Sequence, residues 1–301
     1  MKIRKTGIKF SILLCLFISC ETTSESSRDI ISIKGSDTEF ELVTSLATAF
    51  SEKENIVIEV EGEGSTVGLD LLINGEIDVA NSSREMTDDE FAQANNNGIE
   101  PIQAIIAMDA IAFITHPTLG IDSLSIIQVQ KILSGEIKNW KELGGEDLPI
   151  RLYGRNENSG TYKFIESRFV FQEGFRSDAK ALESNRAIIE AVKADPAGIG
   201  YVGAGFIMNS EGKPLADIWA MYLYTDGDHA YSPYQATAVI NGDYPLIRPL
   251  YQYFNGKPQG DLEKFLKFEL SEEGQQIIRD NGFFPISSLF ESINRKYGIN
   301  Y

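Results

Sequence analysis

Residues 98–117, GIEPIQAIIAMDAIAFITHP, restrict the possible folds more than any other stretch of this chain. The run is long and close to continuously apolar, the pattern of a strand buried on both faces rather than one with a wet side. Such a strand needs helices packed on both sides of its sheet, which selects an α/β architecture. It is also long enough to pass from one domain into another.

The flanking sequence keeps to this scheme. IISIKG (30–35), IVIEVEG (56–62) and IDVANSS (77–83) are predicted strands, separated by helix-like segments. In the helix predicted over 38–55, Leu42, Leu46 and Phe50 recur every fourth residue on one face. A second α/β pattern starts near residue 125 and contains AGIGYVG (197–203). An extended stretch, ATAVINGDYPLIRPLYQYF (236–254), is able to cross back, and one last helix is predicted over 261–281. The organisation expected is two lobes, 29–110 with 240–301 and 111–239, joined by two extended crossovers with a cleft between them. Such clefts are favoured ligand sites, and two-strand hinges permit closure.

The N-terminus stands apart from this core. Lys2, Arg4 and Lys5 precede the apolar FSILLCLFIS, too short to span a bilayer, and then Cys20 and the polar ETTSESS. This order resembles a bacterial lipoprotein signal ending in a lipobox, FISC; an ordinary secretory signal is the alternative. The resemblance implies removal of 1–19, lipid on Cys20, a tether over 20–28 and a domain held on the extracytoplasmic face of a membrane. Cys15, the only other cysteine, lies in the removed segment. Processing takes away four cations and moves the formal charge from −17 to 23 − 44 = −21. A field of that sign argues against nucleic acid and anionic lipid surfaces as partners. A small buried anion is not excluded, because local donors govern a pocket.

Three places share one design, a strand followed by a small-polar turn and a helix: IKGSDTEF (33–40), EGEGSTVG (61–68) and GRNENSGTY (154–162). Each puts Ser, Thr or Asp where an N-cap belongs. The free amides and positive dipole end of such a helix start favour phosphate or sulfate, and equally suit plain capping. EGEGSTVG also fits a loose dinucleotide turn, but the next strand ends in ANSSRE, not in an acidic ribose ligand. Arg155, four residues before Ser159-Gly160-Thr161, is placed to grip a tetrahedral oxyanion over a helix mouth, or else to form an ordinary surface ion pair.

GRNENSGTY resembles the R-x-x-x-S-G-T signature of the phosphate-binding proteins, the extracytoplasmic receptors of the Pst ABC transporters. IKGSDT, EGEGST, IDVANSSREM, ILSGEIKNW, GIGYVG, YPLIRPLY and FLKFELSEEGQ follow the family's order over about residues 31–288. The resemblance implies a two-lobed type II periplasmic-binding-protein fold, each lobe a mixed sheet flanked by helices, closing on inorganic phosphate for delivery to permease subunits. It implies no cofactor, no metal and no reaction; a monomer is expected. By motif, Arg155, Ser159, Gly160 and Thr161 are the second-lobe ligands, opposed by Ser65 and Thr38.

One departure stands out. Many family members carry an aspartate just after the serine of the third strand, which accepts the proton that bound phosphate retains. Here Ser83 holds that position, followed by Arg84. Asp37 is the candidate substitute, with helix capping as its other reading. Arg84 is either a second cation facing the anion or the partner of Glu85 or Asp88. The only histidines, His116 and His229, lack neighbours at metal-ligand or triad spacing. A receptor for another oxyanion, sulfate or arsenate, and a surface lipoprotein for adhesion or sensing are the competing functions.

Overall fold

A computed structural model describes residues 30–170, 174–209, 213–225, 227 and 229–300. The signal segment, the tether and Cys20 lie outside the described residues.

The first lobe opens with alternating strands and helices: β1 Ile31–Gly35, α1 Phe40–Glu54, β2 Ile58–Gly62, α2 Ser65–Ile73, β3 Val79–Ser82 and α3 Asp88–Asn96. β1 lies between β2 and β3, parallel to both. α1 forms because Leu42, Val43, Leu46, Ala47 and Phe50 make one buried stripe, and it ends at Asn55 in the left-handed conformation. Burial of each large apolar side chain contributes about 1.5–3 kcal/mol.

The long apolar run becomes β4, Pro101–Thr115, and it belongs to both lobes. Its first ten residues pair antiparallel with β11, Ile247–Asn255, while Ile111–Thr115 pair antiparallel with Gly203–Ile199. The second lobe continues as β5 Ser123–Ser125, α4 Ile126–Ser134, β6 Arg151–Arg155, α5 Gly160–Phe169, β7 Lys180–Leu182, α6 Asn185–Lys193, β8 Gly198–Gly203, β9 Trp219–Ala220, β10 Tyr222–Tyr224 and α7 Ala236–Asn241. The strands run β2-β1-β3-β11-β4-β8-β6-β7 across the molecule, with β9 beside β4 and a separate β10-β5 pair. Apolar clusters cover both faces of each half, which is why β4 is apolar on both sides.

The chain then returns to the first lobe through β11 and three helices: α8 Gly260–Leu270, α9 Glu272–Asp280 and α10 Ser288–Lys296. Two local expectations are corrected here. The single helix predicted over 261–281 is broken at Ser271, whose backbone is extended and whose hydroxyl accepts from Gly274 N–H at 3.2 Å to start α9. The extended stretch predicted from residue 236 begins as α7, whose Ala238 and Val239 pack in the second-lobe core.

Candidate functional site

The loops that carry the three helix starts meet where the lobes face one another. From the first lobe come the β1–α1 turn with Asp37 and Thr38, the start of α2 with Ser65, and the residues after β3, Ser83 and Arg84. From the second come Arg155 at the end of β6, and Ser159, Gly160 and Thr161 at the start of α5.

Thr38 Oγ1 and Thr161 Oγ1, 123 residues apart in sequence, are 3.2 Å apart in space. Ser65 Oγ accepts from Ser83 N–H at 3.1 Å and lies 3.4 Å from Ser83 Oγ. Across the cleft, Thr66 N–H donates to Asn158 O at 3.2 Å. That approach depends on Gly64, whose φ of 97° is left-handed and where an added Cβ would lie only 2.7 Å from Asn158 O. Arg155 is buried, its side chain 2% exposed, and its Nη2 donates to Asp37 Oδ2 at 2.5 Å. Arg155 Nε is buried and has no hydrogen-bond partner among the described residues.

The capping chemistry differs from the sequence expectation at two of the three helix starts. Only α5 has a hydroxyl cap, Ser159 Oγ accepting from Tyr162 N–H at 3.4 Å. α1 has Glu39 and α2 has Gly64 at the N-cap, neither with a side-chain cap. Thr38 and Ser65 therefore do not spend their hydroxyls on those helices, and both are buried at the cleft. Capping is thus not the role of Asp37 either.

Arg84 does not pair with the carboxyl of Glu85 or with Asp88. Its guanidinium makes two bonds to Glu90, at 2.6 and 2.8 Å, and a longer one to Thr66 Oγ1 at 3.3 Å. Glu90 also closes the capping box of α3 with Thr87. Burial pushes the Glu90 carboxyl up, but Arg84 and the Thr87 donors outweigh it, so the net shift is downward. Arg84 borders an inter-lobe groove of about 590 Å³ with its charge committed to Glu90.

Sequence reasoning passed over two residues at the centre of the site. Arg248, on β11, is 1% exposed, and its Nη2 reaches Thr38 Oγ1 at 3.3 Å, Thr161 Oγ1 at 3.0 Å and Asp109 Oδ2 at 2.8 Å. Its Nε donates to the same Asp109 oxygen at 3.1 Å, and its Nη1 to Ser83 O at 3.1 Å. Asp109, on β4, stands directly opposite Arg248 in the ladder. The available signal was complementary: an acid, Asp109, in the middle of the apolar run at 98–117, and one arginine inside YPLIRPLY. Glu39, next to Thr38, is fully buried; burial pushes its carboxyl well up, Asp109 and Glu269 add to this, and Arg248 opposes it.

Among the described residues no group of three or more His, Cys, Asp or Glu is arranged to hold a metal ion. His116 bonds Thr118 in its own turn and His229 packs on the Tyr231 ring. What gathers there is a set of hydroxyl, amide and guanidinium donors drawn from both lobes, an arrangement suited to an anion.

The profile of the PBP superfamily domain matches residues 21–273. The phosphate-binding protein PstS of Borreliella burgdorferi is 29% identical over 289 residues, covering 93% of this chain and 97% of that one. PstS of Pseudomonas aeruginosa is 30% identical over 274 residues, covering 85% and 83%. A Clostridium perfringens crystal structure, described as a putative phosphate ABC transporter substrate-binding protein with bound phosphate, superposes with a TM-score of 0.75. It is 27% identical and covers 86% of this chain and 100% of its own. With the two-lobed fold, the shared strand pair and the donor-lined cleft, these likenesses establish that the chain belongs to the PBP superfamily and, within it, to the PstS family of phosphate-binding proteins.

Proposed function

We propose that this protein is an extracytoplasmic receptor that captures inorganic phosphate between its lobes and delivers it to an ABC permease. The observation that carries the reading is the convergence of donors from both lobes at the cleft, Thr38 and Thr161 at 3.2 Å and Arg155 bonded to Asp37, the residue before Thr38. Arg155 supplies the cation, with Nε–H free to donate; Ser65, Ser83, Ser159 and Thr161 supply hydroxyls, and Gly160 its amide. Charge-assisted hydrogen bonds contribute roughly 1.5–3 kcal/mol each. Most of that gain offsets dehydration of the anion and ordering of the lobes, and a net of about −8 kcal/mol gives micromolar capture. Closure then presents the permease with a shape the empty receptor lacks.

Asp37 is the only carboxylate among the sequence-derived ligands. We take it as the acceptor for the proton that phosphate keeps and sulfate lacks, replacing the family aspartate absent at Ser83. Its bond to Arg155 holds it at the cleft. The function is receptor chemistry, with no reaction assigned. Lipid on Cys20 would hold the domain at the membrane, as the FISC motif suggests.

The decisive experiment is calorimetric titration of the mature protein with phosphate, sulfate and arsenate. Phosphate is expected to bind, and Arg155→Ala to weaken it at least a hundredfold. Absence of anion binding in the wild type would overturn the reading in favour of an adhesive or sensory lipoprotein. Tighter sulfate than phosphate binding would reassign the ligand.

A further inference from the structure

We infer that Arg248 is a positioning residue of the anion site: it holds the Thr38 and Thr161 hydroxyls, one from each lobe, as hydrogen-bond donors toward the ligand. This rests on the reading of the cleft as a phosphate site.

A guanidinium can only donate, whereas a threonine hydroxyl has one proton to give and two lone pairs to accept with. Arg248 Nη2 has two protons, one directed to Asp109 Oδ2; the other is shared between Thr161 Oγ1 at 3.0 Å and Thr38 Oγ1 at 3.3 Å, so both hydroxyls receive from one bifurcated donor. A hydroxyl that receives from the rear directs its own proton elsewhere. With an anion in the cleft, both protons turn to its oxygens. Without Arg248, either threonine could present a lone pair, which repels an oxyanion or competes for the proton phosphate carries. Arg248 thereby leaves acceptor duty to Asp37.

The guanidinium is anchored apart from the two threonines it holds. β11 pairs with β4, the strand shared by both lobes, and places Arg248 opposite Asp109. Asp109 Oδ2 takes both Nε and Nη2, and Ser83 O takes Nη1. Because Asp109 balances its charge, Arg248 acts by direction rather than by net charge, in contrast with Arg155 at the cleft. The same geometry ties polarity to closure. Thr161 belongs to the second lobe, so it is held as a donor only when α5 is brought up to the hinge strands.

The test is a double-mutant cycle on phosphate affinity, with the unliganded melting temperature of each variant recorded. Arg248→Lys keeps the cation beside Asp109 but loses the fork. Arg248→Gln with Asp109→Asn keeps a neutral hydrogen-bonded pair, should the lysine variant fail to fold. Each is expected to weaken phosphate binding at least tenfold in the wild-type background and in Thr161→Ser. In Thr161→Val, where one hydroxyl is gone, the same changes should cost less than half as much on a logarithmic scale. Equal factors in the valine and serine backgrounds would overturn the inference, since Arg248 would then act directly on the anion or through the fold. Failure of the wild type to bind phosphate would overturn the functional reading itself, and with it this one.

Discussion

Gly160→Ala separates closure from folding within one methyl group. A β-carbon on Gly160 would lie 2.3 Å from Ser65 Oγ, 2.4 Å from Ser83 Oγ and 2.9 Å from Ser65 Cβ. Rotating the two hydroxyls removes the first two clashes. Ser65 Cβ is fixed to the first turn of α2 and cannot rotate away. Carbon atoms pack at about 3.5–4.0 Å, so the lobes must stand off by about 1 Å. A cross-cleft contact such as Thr38–Thr161, now 3.2 Å, then passes beyond hydrogen-bonding distance. One or two charge-assisted bonds to the anion are lost at roughly 1.5–3 kcal/mol each, about 1.5–6 kcal/mol in sum. That corresponds to a rise in Kd of about 10-fold to over ten-thousandfold. Stability of the unliganded protein should move the opposite way. Gly160 is the first residue of α5 and does not have a positive φ, so alanine there is expected to stabilise by about 0.4–1 kcal/mol. Phosphate calorimetry reads the first effect and thermal unfolding without ligand the second. An affinity within threefold of wild type would mean that the two lobes do not close on Gly160.

Asp37→Asn is expected to narrow the preference for phosphate over sulfate by removing the acceptor for the phosphate proton; unchanged relative affinities in competition calorimetry would remove Asp37 from that role. Glu39→Gln tests the buried carboxyl beside Thr38. Its folded value is raised above the ordinary 4.5, so the folded state holds the extra proton, and wild-type stability falls as pH rises from about 4.5 towards the folded value. The slope is at most about 1.4 kcal/mol per pH unit. The glutamine variant should therefore gain on wild type through that window and show no such gain below it, as read by urea unfolding at pH 4, 5.5 and 7. A difference independent of pH refutes this. Cys20→Ser is expected to abolish incorporation of labelled palmitate and to release the protein from membranes; retained labelling would place the lipid elsewhere.

Much of the first-lobe architecture was legible because its signals are local. The stripe Leu42, Leu46, Phe50 specifies α1 wherever it lies, and an apolar run as long as 98–117 has few places to go except between two covered sheet halves. Local signals also misled. Ser271 divides a segment whose apolar spacing reads as one helix, since an extended residue in mid-segment has no periodic signature. At α1 and α2 the presence of Ser, Thr and Asp suggested hydroxyl caps, yet the helices start one residue away from them. A shift of one residue is invisible to composition, but it converts a cap into a free donor.

The α/β class, the three helix mouths and the donor-rich character of their turns could be read from the chain alone, because strand–turn–helix units and their polar turns are encoded within about ten residues. Only the tertiary structure decided which groups face each other. Asp37 meets Arg155 across 118 residues, Arg84 pairs with Glu90, and Arg248 meets Asp109 across 139. The physical reason is that each of these pairings depends on strand register or lobe contact. In the ladder of β4 and β11, a slip of one residue would point Arg248 to the other face of the sheet. That register sets a guanidinium against both threonines.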